Sequence, residues 1–187
     1  ITISTVANVP VKIGHTTSET TVNDNLTVTG TTTFTSAQVG QRQTIELVTA
    51  NDTLTAAESG KLFIFNDADG AILTLPDSGG GTLIGVYYDF YVGVTATTNA
   101  HRINVTEVAD EDFEGHLFSG DADAAVVMDM SMFKAPNSAG YDAISMDGTT
   151  TGVIGSKFRI TNILADRWHV EGTILATGAP VTPFIAS

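Results

Sequence analysis

The sequence has no cysteine, one tryptophan and five prolines among 187 residues. Without cysteine there is no disulfide framework, no thiolate zinc site and no cysteine nucleophile. Basic residues are scarce as well: 8 Lys and Arg stand against 21 Asp and Glu, a formal charge of −13. That balance argues against nucleic acid and against an anionic membrane as partners, because both are held by basic patches that neutralise phosphate. No apolar run approaches the roughly 20 residues of a membrane span, so a soluble chain is expected. Catalytic signatures are missing too. There is no Gly-x-Ser-x-Gly elbow, and Gly79–Gly81 lacks the lysine and helix of a phosphate-cradling loop. His15, His101, His116 and His169 stand alone, none spaced from another as metal ligands are. A non-enzymatic protein is expected.

What the sequence does have is threonine and glycine: 29 and 18 residues respectively, with only 16% of positions charged. Threonine is stiff at χ1 and suits a pleated strand. Short strands separated by Gly, Asn and Asp turns therefore fit better than helices with salt-bridged surfaces. The expected fold is all-β, a β-sandwich or jelly-roll-like domain over residues 41–187, preceded by an extended threonine-rich arm over residues 1–40.

The arm carries 12 of the 29 threonines, and Phe34 is its only Phe, Tyr or Trp. So few large apolar groups cannot form an independent core. Yet Asn25–Thr35 alternates apolar and hydroxyl side chains, the periodicity of a strand. Leu26, Val28 and Phe34 are expected to share one thin apolar face, and copies of the same chain are the simplest way to bury it. The run Val22-Asn23-Asp24-Asn25-Leu26-Thr27-Val28-Thr29-Gly30-Thr31-Thr32-Thr33-Phe34-Thr35 resembles the linkers of bacteriophage fibre and appendage proteins. The resemblance implies three intertwined chains, a homotrimer, with Leu26, Val28 and Phe34 as assembly residues.

After Gly40 the strands are plainer. Gln43–Thr49 reads as a first strand. Thr53–Gly60 reads as a short helical turn, with Glu58 three residues after Thr55 in capping-box spacing. Lys61–Phe65 and Ala71–Leu75, joined by a turn at Asn66–Gly70, read as a hairpin. Thr82–Val94 reads as one long strand with Val86, Tyr88, Phe90 and Val92 on one face and Tyr87, Asp89 and Tyr91 on the other. His101–Val105 is a further strand. In Ala124–Phe133 a period of two groups Val126, Met128, Met130 and Met132. Gly140–Met146 and Thr149–Ile163 lead into Arg167–Leu175, where Trp168, Val170, Gly172 and Ile174 face a core and His169 faces away. The tail 176–187 reads as extended.

One acidic cluster invites a metal reading. Asp110, Asp112, Glu114 and Asp121 fall at positions 1, 3, 5 and 12 of a calcium loop, with Gly115 at position 6. Glu at position 5, Asp at position 12 and the lack of flanking helices favour a solvated acidic loop instead. No cofactor is expected; calcium is the one ion this cluster would take.

The opening Thr53-Leu54-Thr55…Ser59-Gly60-Lys61-Leu62-Phe63, the segment Leu73-Thr74-Leu75-Pro76, and the closing Gly155-Ser156-Lys157-Phe158-Arg159-Ile160 and Arg167-Trp168-His169-Val170-Glu171-Gly172 together resemble the small β-modules of tailed-phage virions, the capsid decoration proteins and appendage tips. The resemblance implies a trimeric capsid decoration, or cement, protein on the outer surface of a phage head, with the major capsid protein as partner. Two alternatives stay open: a tail-fibre or head-fibre component for host attachment, and a carbohydrate-binding β-sandwich that uses Tyr87, Tyr88 and Tyr91 to stack on a host-surface glycan.

Overall fold

The structure, a computed structural model, describes Val28 and residues 42–107, 110–123, 130–136 and 141–186. The chain divides into two units, Ile1–Gln41 and Arg42–Ser187. In the first, the expected assembly residues Leu26 and Phe34 lie outside the described residues, and Val28 is half exposed. In the second, Val126 and Met128 lie outside them as well.

The second unit is an all-β sandwich. Its strands are β1 (Ile45–Val48), β2 (Asp52–Thr53), β3 (Leu62–Phe65), β4 (Ile72–Thr74), β5 (Tyr87–Val92), β6 (His101–Asn104), β7 (Asp112–Asp121), β8 (Met130–Lys134), β9 (Ala143–Met146), β10 (Lys157–Leu164), β11 (Arg167–Ala176) and β12 (Phe184–Ile185). One sheet has the order β1-β3-β5-β10-β11-β7-β8 and the other β12-β9-β6-β4-β2. No described helix is long and apolar enough to cross a membrane.

The first six strands alternate between the sheets. β1, β3 and β5 are parallel neighbours in the larger sheet, and β2, β4 and β6 are parallel neighbours in the smaller one. Residues 45–104 thus wind three turns of a flattened coil, each strand of one sheet serving as the crossover that parallel strands of the other require. The remaining strands add antiparallel pairs, except β11 beside β7, which is parallel. Jelly-roll sheets are antiparallel, so of the two architectures expected the sandwich is the one found.

The expected hairpin at 61–75 is not formed. β3 lies between β1 and β5 while β4 lies in the opposite sheet between β2 and β6, so Asn66–Gly70 is a corner between sheets. The corner is stitched to the one above it: the Thr97 amide donates to the Ala68 carbonyl (2.8 Å) and the Asn99 amide to the Asp69 carbonyl (3.2 Å). Gly70, at φ +88°, leaves only 2.4 Å between a would-be Cβ and the Asn99 carbonyl oxygen, so only glycine permits this stacking. Alternating apolar residues flanking a turn look the same in a hairpin and in a corner. The expected long strand 82–94 also shortens, because Leu83–Val86 closes a turn (2.8 Å) and β5 starts only at Tyr87. Likewise β10 starts at Lys157, since the Asp147 carboxylate gathers the amides of Thr149, Thr150 and Thr151 (2.8, 2.8 and 2.9 Å) into one turn and the Ser156 amide closes another on the Val153 carbonyl (3.1 Å). The turn at Ala56–Glu58 is as expected, with the Glu58 carboxylate accepting from the Thr55 amide and hydroxyl (2.8 Å each).

Between the sheets lies an aromatic core. Phe90 stacks on Phe63 (5.9 Å between centroids), Phe65 (6.4 Å) and Phe158 (5.4 Å), and Tyr88 lies 6.2 Å from Trp168. Trp168, Val170 and Ile174 are fully buried, as their alternation with His169 implies. His101 is buried too: its Nδ1 accepts from the Ala71 amide (3.2 Å) and its Nε2 lies 2.9 Å from the Val94 carbonyl. Those partners match the neutral Nε2–H tautomer, and burial lowers the His101 pKa in the same sense.

Among the described residues the one buried glutamate is Glu111, with no exposed surface. Its Oε1 accepts from the Ser78 amide (2.7 Å), the Ser78 hydroxyl and the Trp168 indole N–H (3.2 Å). Its Oε2 accepts from the amides of Thr106 (3.0 Å) and Glu107 (2.9 Å). One carboxylate therefore ties the β4–β5 loop, the β6–β7 loop and β11 together. Glu111→Gln turns an acceptor into an N–H₂ group facing donors. We expect it to lower unfolding free energy by about 1–3 kcal/mol in urea titration, while Glu114→Gln, on the outer face of the same segment, shifts it by less than about 0.5 kcal/mol. Equal effects would contradict this role for Glu111.

Candidate interaction surface

A sheet with one face in the core presents its alternate residues on the other face. In the larger sheet the register aligns these into rows across all seven strands. One row runs Leu47, Ile64, Tyr91, Lys157, Thr173, Phe118, Met132. The next runs Ile45, Leu62, Asp89, Arg159, Glu171, His116, Lys134. The two rows differ in chemistry. The first is apolar apart from its middle, and the second is polar or charged from Asp89 onward. At 4.7–4.9 Å per strand, each row spans about 29 Å.

Apolar exposure is concentrated at the two ends. Ile45 and Leu47 on β1 are each 58% exposed, and Met130 and Met132 on β8 are 60% and 61% exposed, with Phe118 beside them at 42%. Single exposed apolar residues are ordinary, but apolar side chains aligned on both edge strands are not.

Between the ends lies an open groove of about 490 Å³, lined by Asp89, His116, Phe118, Lys157, Arg159, Glu171 and Thr173 among others. Asp89 is nearly buried and holds Arg159 through two bonds, Nε to Oδ1 at 2.7 Å and a terminal nitrogen to Oδ2 at 2.9 Å. The Gln43 amide also donates to Asp89. Burial pushes the Asp89 pKa up, but the hydrogen bonds from Arg159 and Gln43 outweigh it, and the net direction is down. Arg159 in turn lies over the Tyr87 ring, 4.4 Å from its centroid. His116 meets Phe118 edge to face at 5.3 Å. The groove is open, its best-fixed cation is already neutralised by Asp89, and no three described His, Asp or Glu residues converge as a metal site would require.

The carboxylates whose spacing matches a calcium loop do not come together. Asp112–Asp121 is one extended strand, β7, which sets its ends about 30 Å apart at 3.3 Å per residue. Asp112 instead lies 3.9 Å from Arg167, and Asp121 accepts from the Asp123 amide at 2.8 Å. Asp110 sits in the turn before β7, and Glu114 faces outward beside His169. Gly115 is explained by packing: it has φ +103°, and a Cβ there would lie 2.2 Å from the Val170 carbonyl oxygen. Of the three tyrosines expected as stacking platforms, Tyr88 is fully buried and Tyr87 is covered by Arg159, which leaves Tyr91. Sequence periodicity did group Met130 with Met132. It missed Ile45, Leu47 and Phe118, whose significance depends on which strand lies at an edge.

Asp89 is lowered below the ordinary carboxylate value, so its contribution to stability is present above the unfolded-state pKa and is lost as pH falls through the folded one. We therefore expect Asp89→Asn to lower the melting temperature at pH 7, with the difference from wild type closing below about pH 4. A gap that persists or widens in acid would rule out this ion pair as its source. Comparison with protein-family models, with curated proteins and with solved structures finds no match for this chain.

Proposed function

We propose that this chain is a non-enzymatic virion structural protein, a trimeric decoration protein attached to the outside of a tailed-phage head and stabilising it. The observation that carries this reading is the placement of exposed apolar residues at both margins of the outer face of the larger sheet, in a protein that is otherwise strongly acidic. Such a face supports a role in lateral assembly. The acidic remainder suits an outward-facing surface that stays soluble at high local density. The threonine-rich run Val22–Thr35 and the module signatures at 53–76 and 155–172 supply the resemblance to phage appendage and decoration proteins. The major capsid protein is the partner this reading requires, with repeated copies giving avidity.

A second reading, a fibre component or sandwich module that touches a host-surface glycan, is favoured by one feature: the groove pairs the exposed ring of Phe118 with Lys157, for which no ion pair is found among the described residues. Tyr91 flanks Lys157 in the same row.

Electron microscopy of the particles, with the full chain labelled, separates these readings. Decoration predicts many copies spread over the head lattice, and heads that lose DNA at lower temperature when the protein is stripped. Label confined to the tail or to one vertex would contradict decoration and favour the fibre reading.

A further inference from the structure

Five exposed apolar residues, Ile45, Leu47, Phe118, Met130 and Met132, lie at the two opposite margins of one sheet, on one face, and both margins are edge strands among the described residues. Ile84, Ile154 and Leu164 are similarly exposed but isolated in the loops and at the end of β10. Natural edges are usually blunted by outward charges or proline. Here β1 presents Ile45 and Leu47, and its one charge, Glu46, is held by Lys61 at 2.7 Å. β8 presents Met130 and Met132, with Lys134 only at its end. Neither strand contains proline.

Symmetry limits what can cover both margins. A two-fold contact of β1 with β1 buries one margin and leaves the other in water, and β8 with β8 does the reverse. A two-fold contact of sheet faces centred on β10 sets Lys157 against Lys157 and Arg159 against Arg159, and like charges brought together out of water are costly. A head-to-tail contact, β8 of one copy with β1 of the next, covers both margins with a single kind of interface. The strand directions allow it. β10 is antiparallel to β5, β11 to β10, and β8 to β7, while β7 is parallel to β11 and β1 to β3 and β5. β8 therefore runs opposite to β1, and a sheet continued from one copy into the next forms an ordinary antiparallel pair.

We propose that copies of this chain join edge to edge, β8 of one against β1 of the next, with Met130 and Met132 packing on Ile45 and Leu47. A head-to-tail contact of this kind leaves no free margin only when the ring closes. The proposal deepens the trimeric reading above and rests on it only for the number of copies, three.

The test uses the full chain in sedimentation velocity and light scattering at micromolar concentration. Two variants, Leu47→Asp and Met132→Asp, each spoil one margin at a position already more than half exposed, and circular dichroism verifies that they fold. Should either unfold, Leu47→Ser and Met132→Ser replace them. Wild type is expected to be a closed trimer and each variant alone a monomer. An equimolar mixture is expected to form a one-to-one heterodimer, because Leu47→Asp keeps an intact β8 margin and Met132→Asp an intact β1 margin. A monomeric wild type, variants that assemble like wild type, or a mixture that stays monomeric would each overturn the proposal. Absence from phage heads of a chain that still shows this complementation would overturn the virion reading and leave the edge contact standing.

Discussion

Phe90 sits on β5, the last coil strand of the larger sheet, and touches Phe63, Phe65, Tyr88 and Phe158, which belong to three different strands. That stacking depends on the first six strands alternating between sheets. No two consecutive strands among them pair with each other, so the core forms only when distant segments meet. Most of the stabilising contacts are consequently non-local, a topology associated with slow folding. The buried Glu111 carboxylate serves the same end, gathering two loops and β11 at a point where the buried Ser78 amide and Trp168 indole N–H would otherwise lack partners.

The same winding determines what the outside looks like. Once β1, β3 and β5 commit their inner residues to the aromatic core, the alternation of the strand sends Ile45, Leu47, Leu62 and Ile64 outward. On the other side, β7 and β8 do the same with Phe118, Met130 and Met132. The central strands carry Asp89, Lys157, Arg159 and Glu171 on that face, so the sheet is polar in its middle and apolar at its margins. Apolar side chains aligned on two opposite edge strands leave water only when another chain covers them. A surface of this kind is better suited to joining copies, and this is the physical basis of the proposed structural role.

Strand identity was largely legible in the sequence. The inward and outward faces of β5 and β11 follow from alternation alone, as does the capped turn at Thr55–Glu58. Pairing was not legible. Residues 61–75 have every local mark of a hairpin, and only the stitched corner at Asn66–Gly70 and the partners on either side of β3 and β4 show otherwise. The acidic run 110–121 failed for a related reason: a spacing that matches a loop has no meaning in an extended strand, where each added residue carries the carboxylates further apart. Gly115 looked like a turn residue and is instead a site of close strand approach. Edge status, which gives Leu47 and Met132 their importance, belongs to the whole sheet and has no local signature.

The central claim is that the margins of the larger sheet are covered by further copies of the chain. Amide hydrogen exchange measures this directly, because an uncovered edge strand exposes half of its N–H groups to water while a paired one does not. The account predicts that amides of Ile45–Val48 and Met130–Lys134 exchange slowly in the concentrated full chain and faster on dilution, with core strands such as Tyr87–Val92 unchanged. Exchange at both edges that is fast and independent of concentration would contradict it.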